Sequence, residues 1–279
     1  MIKKIVYGIV LLICISSCTP LRKIPLSPKL VESSALIKHQ DVFLTINDSD
    51  NAPIVFVFNE KGEVVHECHI KNVKNNDWEA LAYDGGDYLF IGDIGNNNNN
   101  RKNLAVLKVK MSDVLEKDSV EVEVVSYRYS DQTTFPPSKE LLYYDAEAMI
   151  IKDNEILIFT KNRTVPFDGI SKVYRLPSQP GNHVAQFLYN IQLPSTHWIE
   201  ESITDAYYFE GELYLLTYSK IYKYVWQDEI WVQKEEKLHT SITQKEGIAV
   251  DKKWIYITDE DNSNFFNGKK GNYLYRIKK

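Results

Sequence analysis

The sequence predicts an all-β fold, a five-bladed β-propeller closed by its N- and C-terminal strands. Three observations predict it. After residue 18 the chain shows no helical periodicity, only short alternating apolar and polar runs separated by Gly, Asn, Asp and Pro. A two-strand motif recurs five times, at intervals of 45, 68, 57 and 42 residues, near the roughly forty- to fifty-residue period of propeller blades. Each recurrence opens on an oxygen-bearing side chain. A sixth blade within the interval of 68 residues is the alternative.

The first element is a leader: Lys3 and Lys4, an apolar run from Ile5 to Ile15, then Ser16, Ser17 and Cys18. The run is too short to span a bilayer. Its ending resembles a bacterial lipoprotein signal, which implies that Cys18 is the lipidated N-terminus; the length and the repeat make residues 19–279 one propeller domain. With Cys14 in the leader and Cys18 lipidated, Cys68 alone remains, so a disulfide within the domain is excluded. Loss of Lys3 and Lys4 moves the net charge from −5 to −7. That acidity excludes nucleic acid as a partner class.

The first strands of the five pairs begin "SALIK" at Ser34, "EALAY" at Glu79, "EAMII" at Glu147, "TDAYY" at Thr204 and "EGIAV" at Glu246. Their partners are "VFLTIND", "YLFIGD", "ILIFTK", "LYLLTY" and "WIYITDE". Third and fourth strands follow in four units. The fifth has only "NYLYRIKK", so the segment "LRKIPLSPKL" is expected to supply its outer strand and remove the open edge. "MSDVLEKDSVE" and "SDQTTFPPSKELLYY" read as blade extensions, and "HECH" at His66–His69 as a chance cluster on an outer strand.

In a propeller the first strand of each blade lines the axis. Ser34, Glu79, Glu147, Thr204 and Glu246 would therefore form a ring of three carboxylates and two hydroxyls. Converging carboxylates need a cation or a proton. All-oxygen donors and a wide, flexible shell favour calcium over octahedral magnesium. The opposing reading pairs each Glu with Lys or Arg of a neighbouring blade.

This order of hydroxyl, Glu, Glu, hydroxyl, Glu, with "ESSAL", "WEALA", "AEAM" and "EGIAV", resembles the calcium-activated nucleotidases, five-bladed propellers with calcium in the tunnel. The resemblance implies that Ser34, Glu79, Glu147 and Glu246 are metal ligands, with Thr204 in place of a Ser and Ser202 as its rival. The family's acid-rich N-terminal motif has no counterpart between Cys18 and Glu32. "DWE" followed by "IGDIG" is also similar to bacterial propellers of that pattern and, more distantly, to phytase-like propellers.

Because the second strand runs back, Asp48, Asp93, Lys161 and Asp259 are expected around the same mouth, with Arg101, Arg163 and Asn96–Asn100 on adjoining loops. Asp48, Lys161, Arg101 and Arg163 are candidate contacts for a small polar or phosphorylated ligand. Two function classes follow. In the first, a monomeric, lipid-anchored binding or scaffold protein with axial calcium faces the periplasm from an outer membrane. In the second, it is a calcium-dependent hydrolase of phosphoanhydrides or phosphoesters, with Asp93 or Asp259 as general base. The missing acidic motif places binding first.

Overall fold

A computed structural model of the chain describes residues 22–194, 197–238, 243–261, 268 and 270–279. Cys18 and the leader lie outside the described residues. Among those residues no helix is long and apolar enough to cross a membrane.

The described strands sort into five antiparallel units. β1 (Arg22–Pro25) precedes the first unit, which comprises β2 (Ile37–His39), β3 (Val42–Thr45), β4 (Ile54–Asn59) and β5 (Val64–Ile70). β6 (Trp78–Tyr83), β7 (Tyr88–Asp93) and β8 (Leu104–Lys110) begin the second. Helix α1 (Met111–Glu116) and β9 (Ser119–Val120) interrupt it before its outer strand β10 (Glu123–Tyr129), and β9 pairs with the edge of β5. The long repeat interval is thus extended by a helix and an edge strand, with Lys139–Leu141 as a short 3-10 turn further on. The third unit is β11 (Asp145–Lys152), β12 (Glu155–Lys161), β13 (Ile170–Pro177) and β14 (Gly181–Gln192). After the short helix α2 (Trp198–Glu201) comes the fourth, β15 (Ile203–Phe209), β16 (Glu212–Thr217), β17 (Lys220–Gln227) and β18 (Ile230–Leu238). β19 (Lys245–Val250), β20 (Trp254–Asp259) and β21 (Tyr273–Lys278) form the fifth, and β1 pairs antiparallel with β21 as its outer strand.

Apolar packing closes these units into a circle. Alternation gives every strand two faces, and both faces of each unit are buried against a neighbour. Leu44 and Val57 of the first unit pack with Leu89 and Leu107 of the second. Phe90 and Val106 pack on the other side with Met149 and Ile158 of the third. Phe159 and Val173 meet Leu213 and Leu215, Leu216 and Ile221 meet Ile248 and Ile257, and Tyr256 and Leu274 return to Phe43 and Phe58. The last layer includes Ile24 and Leu26, so the N-terminal segment helps to bury the closing interface. One feature has no signal in the repeat: β10 and β14 pair in parallel at the rim, Val125 opposite Gly181, and fuse the second and third units into one eight-stranded sheet.

Candidate functional site

The inner strands of four units carry the same local irregularity near their starts. Register shifts by one residue between Trp78 and Ala80, Ala146 and Ala148, Ile203 and Asp205, and Lys245 and Gly247. The extra residues are Glu79, Glu147, Thr204 and Glu246. A β-bulge re-aims a side chain that regular pairing would place against a neighbouring sheet. In the first unit the bridge Ser33–Asn47 and the pair Ile37–Leu44 are offset by one residue as well, across the stretch that holds Ser34.

Around this end of the axis lies a polar cavity of about 210 Å³, whose wall includes Asp48, Glu79, Glu147, Lys161, Arg163, Trp198, Tyr218 and Glu246. The two hydroxyls of the ring stitch units together: Ser34 Oγ donates to Trp78 O at 2.9 Å, and Thr204 Oγ1 to Lys245 O at 2.6 Å. Glu147 is bonded to Lys161 Nζ and lies 3.3 Å from Arg163. Glu246 accepts from Tyr218 Oη at 3.1 Å and Gln244 Nε2 at 3.0 Å. Glu79 differs. It is 4% exposed, lines the cavity, and has no side-chain hydrogen bond or ion pair among the described residues.

Carboxylate oxygens of Asp48, Asp77 and Glu79 lie within 4.8 Å of one another. Burial pushes Glu79 well above the usual carboxylate range, and Glu147, Asp48, Glu246 and Asp77 add like-charge repulsion. Burial and then Asp48 lift Asp77 to about 7, and burial and then Glu246 lift Asp48 to about 6. Glu147 rises to about 8 through burial, although Lys161 opposes the shift. These groups are held close against mutual repulsion by backbone. Gly95 packs on them so tightly that a Cβ there would sit 2.4 Å from Asp77 Oδ2 and 2.8 Å from Glu79 Cγ. This contact explains the second glycine of "IGDIG".

The second tier divides by register. Asp48 and Lys161 line the cavity, while Asp93 and Asp259 do not. Asp93 is held by Arg101 at 2.7 Å, by Asn76 at 2.6 Å and by the Asp77 N–H at 3.2 Å. Asp259 is buried against Thr243, Tyr275 and the Tyr273 N–H. Both are committed to their own units. The positions equivalent to Asp48 and Lys161 fall one residue later, at Ile94, Tyr218 and Glu260, because the bulge offsets the inner strand against its partner. Side chains alternate in a strand, so one residue decides between cavity and sheet interior.

Arg101 also donates to Gly95 O at 2.6 Å, bracing the glycine turn from behind instead of facing the cavity. Arg163 does face it, fixed by Asp145 at 2.7 Å and by Asn97. Sequence reasoning missed Asp77, Trp198, Tyr218 and Glu260. Asp77 carried a usable signal, since it lies two residues before Glu79 in "DWE". Trp198 comes from α2, outside the repeat. On β5, Cys68 is buried in the apolar layer, which pushes its thiol to about 11, and His66 contacts Lys117 O at 3.1 Å.

No family model matches the chain, and no curated protein does. Solved structures do. A Myxococcus xanthus glutaminyl cyclase superposes with a TM-score of 0.50 at 13% identity, over 91% of this chain and 93% of that one. A PQQ-bound aldose sugar dehydrogenase from Streptomyces coelicolor gives a TM-score of 0.50 at 7% identity, over 93% of this chain and 99% of that one. The chain is a β-propeller. At such identities the likeness extends to the fold alone, and it does not reach the nucleotidase-like type that the ring motif resembles.

Proposed function

We propose that this propeller is a binding protein whose axial pocket holds a divalent cation, calcium by donor chemistry, and through it a small polar ligand. The observation that carries the reading is Glu79, a buried carboxylate in a polar cavity with no partner among the described residues, set within 4.8 Å of Asp48 and Asp77. A buried charge persists only when it is paired, protonated or bound to metal. An all-oxygen trio at the edge of a polar cavity of about 210 Å³ suits a hard ion that keeps waters in its shell. Asp48, Asp77 and Glu79 would hold the cation. Of the ring expected from sequence, Glu147 and Glu246 already have protein partners, and Ser34 and Thr204 donate to backbone, so these four act as its surroundings.

The hydrolase reading is favoured by one observation: Arg163 and Lys161 face the same cavity and could hold an anion beside the cation. No free general base accompanies them at Asp93 or Asp259, whose carboxylates are occupied. Binding is therefore the better reading. A leader that resembles a lipoprotein signal would place this pocket outside the cytoplasm.

The test is thermal unfolding of the protein in chelator, then with calcium or magnesium, for wild type, Glu79→Gln and Glu147→Gln. A ligand bound only by the native state stabilises it by about 2.7 kcal/mol at a hundredfold excess over Kd. Calcium is expected to raise the midpoint of wild type, and much less that of Glu79→Gln. No shift with either ion, or an equal shift in Glu79→Gln, would remove the cation from the reading.

A further inference from the structure

The charges around the axial pocket limit what can bind with the cation. Asp48, Asp77, Glu79, Glu147 and Glu246 surround it, against Lys161 and Arg163, and the guanidinium of Arg163 is shared with Asp145. A bound divalent ion favours the ionised form of these carboxylates; with all five ionised it offsets two of the three charges that Lys161 and Arg163 leave over, so the loaded pocket stays acidic. A phosphoester or another polyanion would then face net repulsion in a buried site, where charges are poorly screened.

An organic cation meets a different obstacle. The aromatic surfaces that would receive it already face cations: the Trp198 indole has Arg163 Cζ at 5.3 Å and Lys161 Nζ at 5.9 Å from its ring centre, and the Tyr218 ring has Lys161 Nζ at 5.0 Å. An incoming ammonium group would approach two like charges. Purely apolar ligands are excluded by the wall itself, in which every residue but Trp198 carries a hydrogen-bonding or charged side chain projecting from a polar residue type, and Trp198 spends its own N–H on Asn162 O at 3.1 Å.

What remains is a neutral molecule rich in hydroxyl groups. We propose that the axial pocket recognises a neutral polyhydroxylated ring, a monosaccharide unit or a cyclitol, seated beside the bound cation and against Trp198. The inference rests on the cation reading above and adds the ligand class. Hydroxyls both donate and accept, and this wall offers both functions. Glu79 and Asp48 are acceptors, while Arg163 is a donor with nitrogen left over from its bonds to Asp145, Asn97 and Glu147. Vicinal hydroxyls can also replace waters on a calcium ion without adding charge. The indole supplies a flat apolar face for ring C–H groups. A cavity of about 210 Å³ has room for one such ring, below the ~300 Å³ at which pockets for larger ligands begin.

The experiment is isothermal calorimetry on the full chain with saturating calcium, using D-glucose, D-galactose, D-mannose, D-xylose and myo-inositol as probes. Inorganic phosphate, AMP and ethanolamine are the competing classes. At least one polyol is expected to bind, with affinity falling about tenfold or more in chelator and again in Trp198→Ala. Calcium affinity should stay unchanged in Trp198→Ala, because Trp198 is not in the acidic trio. If that variant does not fold, Trp198→Phe should keep the ligand and Asn97→Ala should weaken it. The inference is overturned if calcium binds and no polyol does, if phosphate, AMP or ethanolamine binds in preference, or if polyol binding ignores Trp198. Failure of calcium itself to bind is seen in the titration that precedes the probes, and it overturns the underlying reading together with this one.

Discussion

The two ends of the central channel are built from the same inner strands and differ in almost every chemical respect. At the far end, a cavity of about 500 Å³ is lined by Leu81, Tyr83, Met149, Tyr207, Tyr208 and Phe209 among others, with Lys38 and Lys152 at its rim. At the near end the cavity is about 210 Å³ and nearly all polar. The larger cavity is not the better candidate site. Three of its titratable groups are engaged elsewhere: Lys38 donates to Gln40 O, Lys152 pairs with Asp153, and Tyr83 donates to Gly86 O. At the near end, the buried carboxylate of Glu79 stands without a partner among the described residues. The difference comes from the bulges, which turn Glu79, Glu147 and Glu246 toward the axis over a single residue.

The largest expected effect tests whether near-end charges are structural. Lys161→Met leaves Glu147 buried with only Arg163 nearby, and removes the donor 2.8 Å from Tyr218 Oη. Breaking one side of a buried pair costs about 3 kcal/mol or more. Urea unfolding should show that loss, and Lys161→Met combined with Glu147→Gln should recover part of it. Equal stability of the single variant and wild type would mean that Glu147 is already neutral.

Next in size is a dependence on pH that calcium should reverse. Without the ion, burial holds Asp48, Asp77 and Glu147 above their ordinary values in the folded state, at about 6, 7 and 8. The native chain therefore binds more protons than the unfolded chain across that window. Stability should rise as pH falls from about 8 to about 5, on the order of 2 kcal/mol, since neighbouring carboxylates share protons. With calcium bound, protons compete with the ion and stability should fall over the same range. Urea midpoints at both pH values, with and without calcium, measure the two slopes. Identical slopes would separate the cation from these carboxylates.

Gly95→Ala addresses the geometry of the trio without changing its charge. A methyl group 2.4 Å from the Asp77 carboxylate must displace it. Calcium affinity should fall about tenfold, about 1.4 kcal/mol, with unfolding in chelator nearly unchanged or improved as the carboxylates move apart. Calcium affinity equal to wild type by calorimetry would show that Asp77 is not a ligand.

Much of this was legible in the sequence because propellers repeat. Opening residues spaced by blade length located Glu79, Glu147, Thr204 and Glu246, and each of these proves to be the extra residue of a bulge. The donation of β1 to the last unit followed from a missing strand. What was not legible turns on single-residue register. In "YLFIGD" and "WIYITDE" the pattern points to Asp93 and Asp259, but pairing across the bulge sets the axial position one residue later, at Ile94 and Glu260. An alternating pattern cannot reveal its own interruption. The partners that neutralise Glu147 were also invisible as partners, because Lys161 and Arg163 are set by how β12 returns along β11, not by spacing. Trp198 belongs to an inserted turn of helix, which no repeat could announce.

The smallest expected effect is the control for the comparison itself. Tyr83 ends β6, four residues beyond Glu79 and roughly 13 Å away at the rise of a β-strand. Its hydroxyl donates to Gly86 O at 2.6 Å in an exposed setting, and its ring meets His39 edge-on at 5.5 Å. Tyr83→Phe keeps the ring and loses one exposed hydrogen bond, so stability should change by about 0.5 kcal/mol or less. Calcium affinity should not change at all. Between the two ends, Ala80, Leu81 and Ala82 are buried in packed layers on both sides of the sheet, and a close-packed strand does not transmit the loss of an exposed hydroxyl. A shift in calcium affinity on Tyr83→Phe, measured beside Gly95→Ala, would therefore mean that the ends of the channel are coupled along β6. The far cavity would then have to be treated as part of the same site.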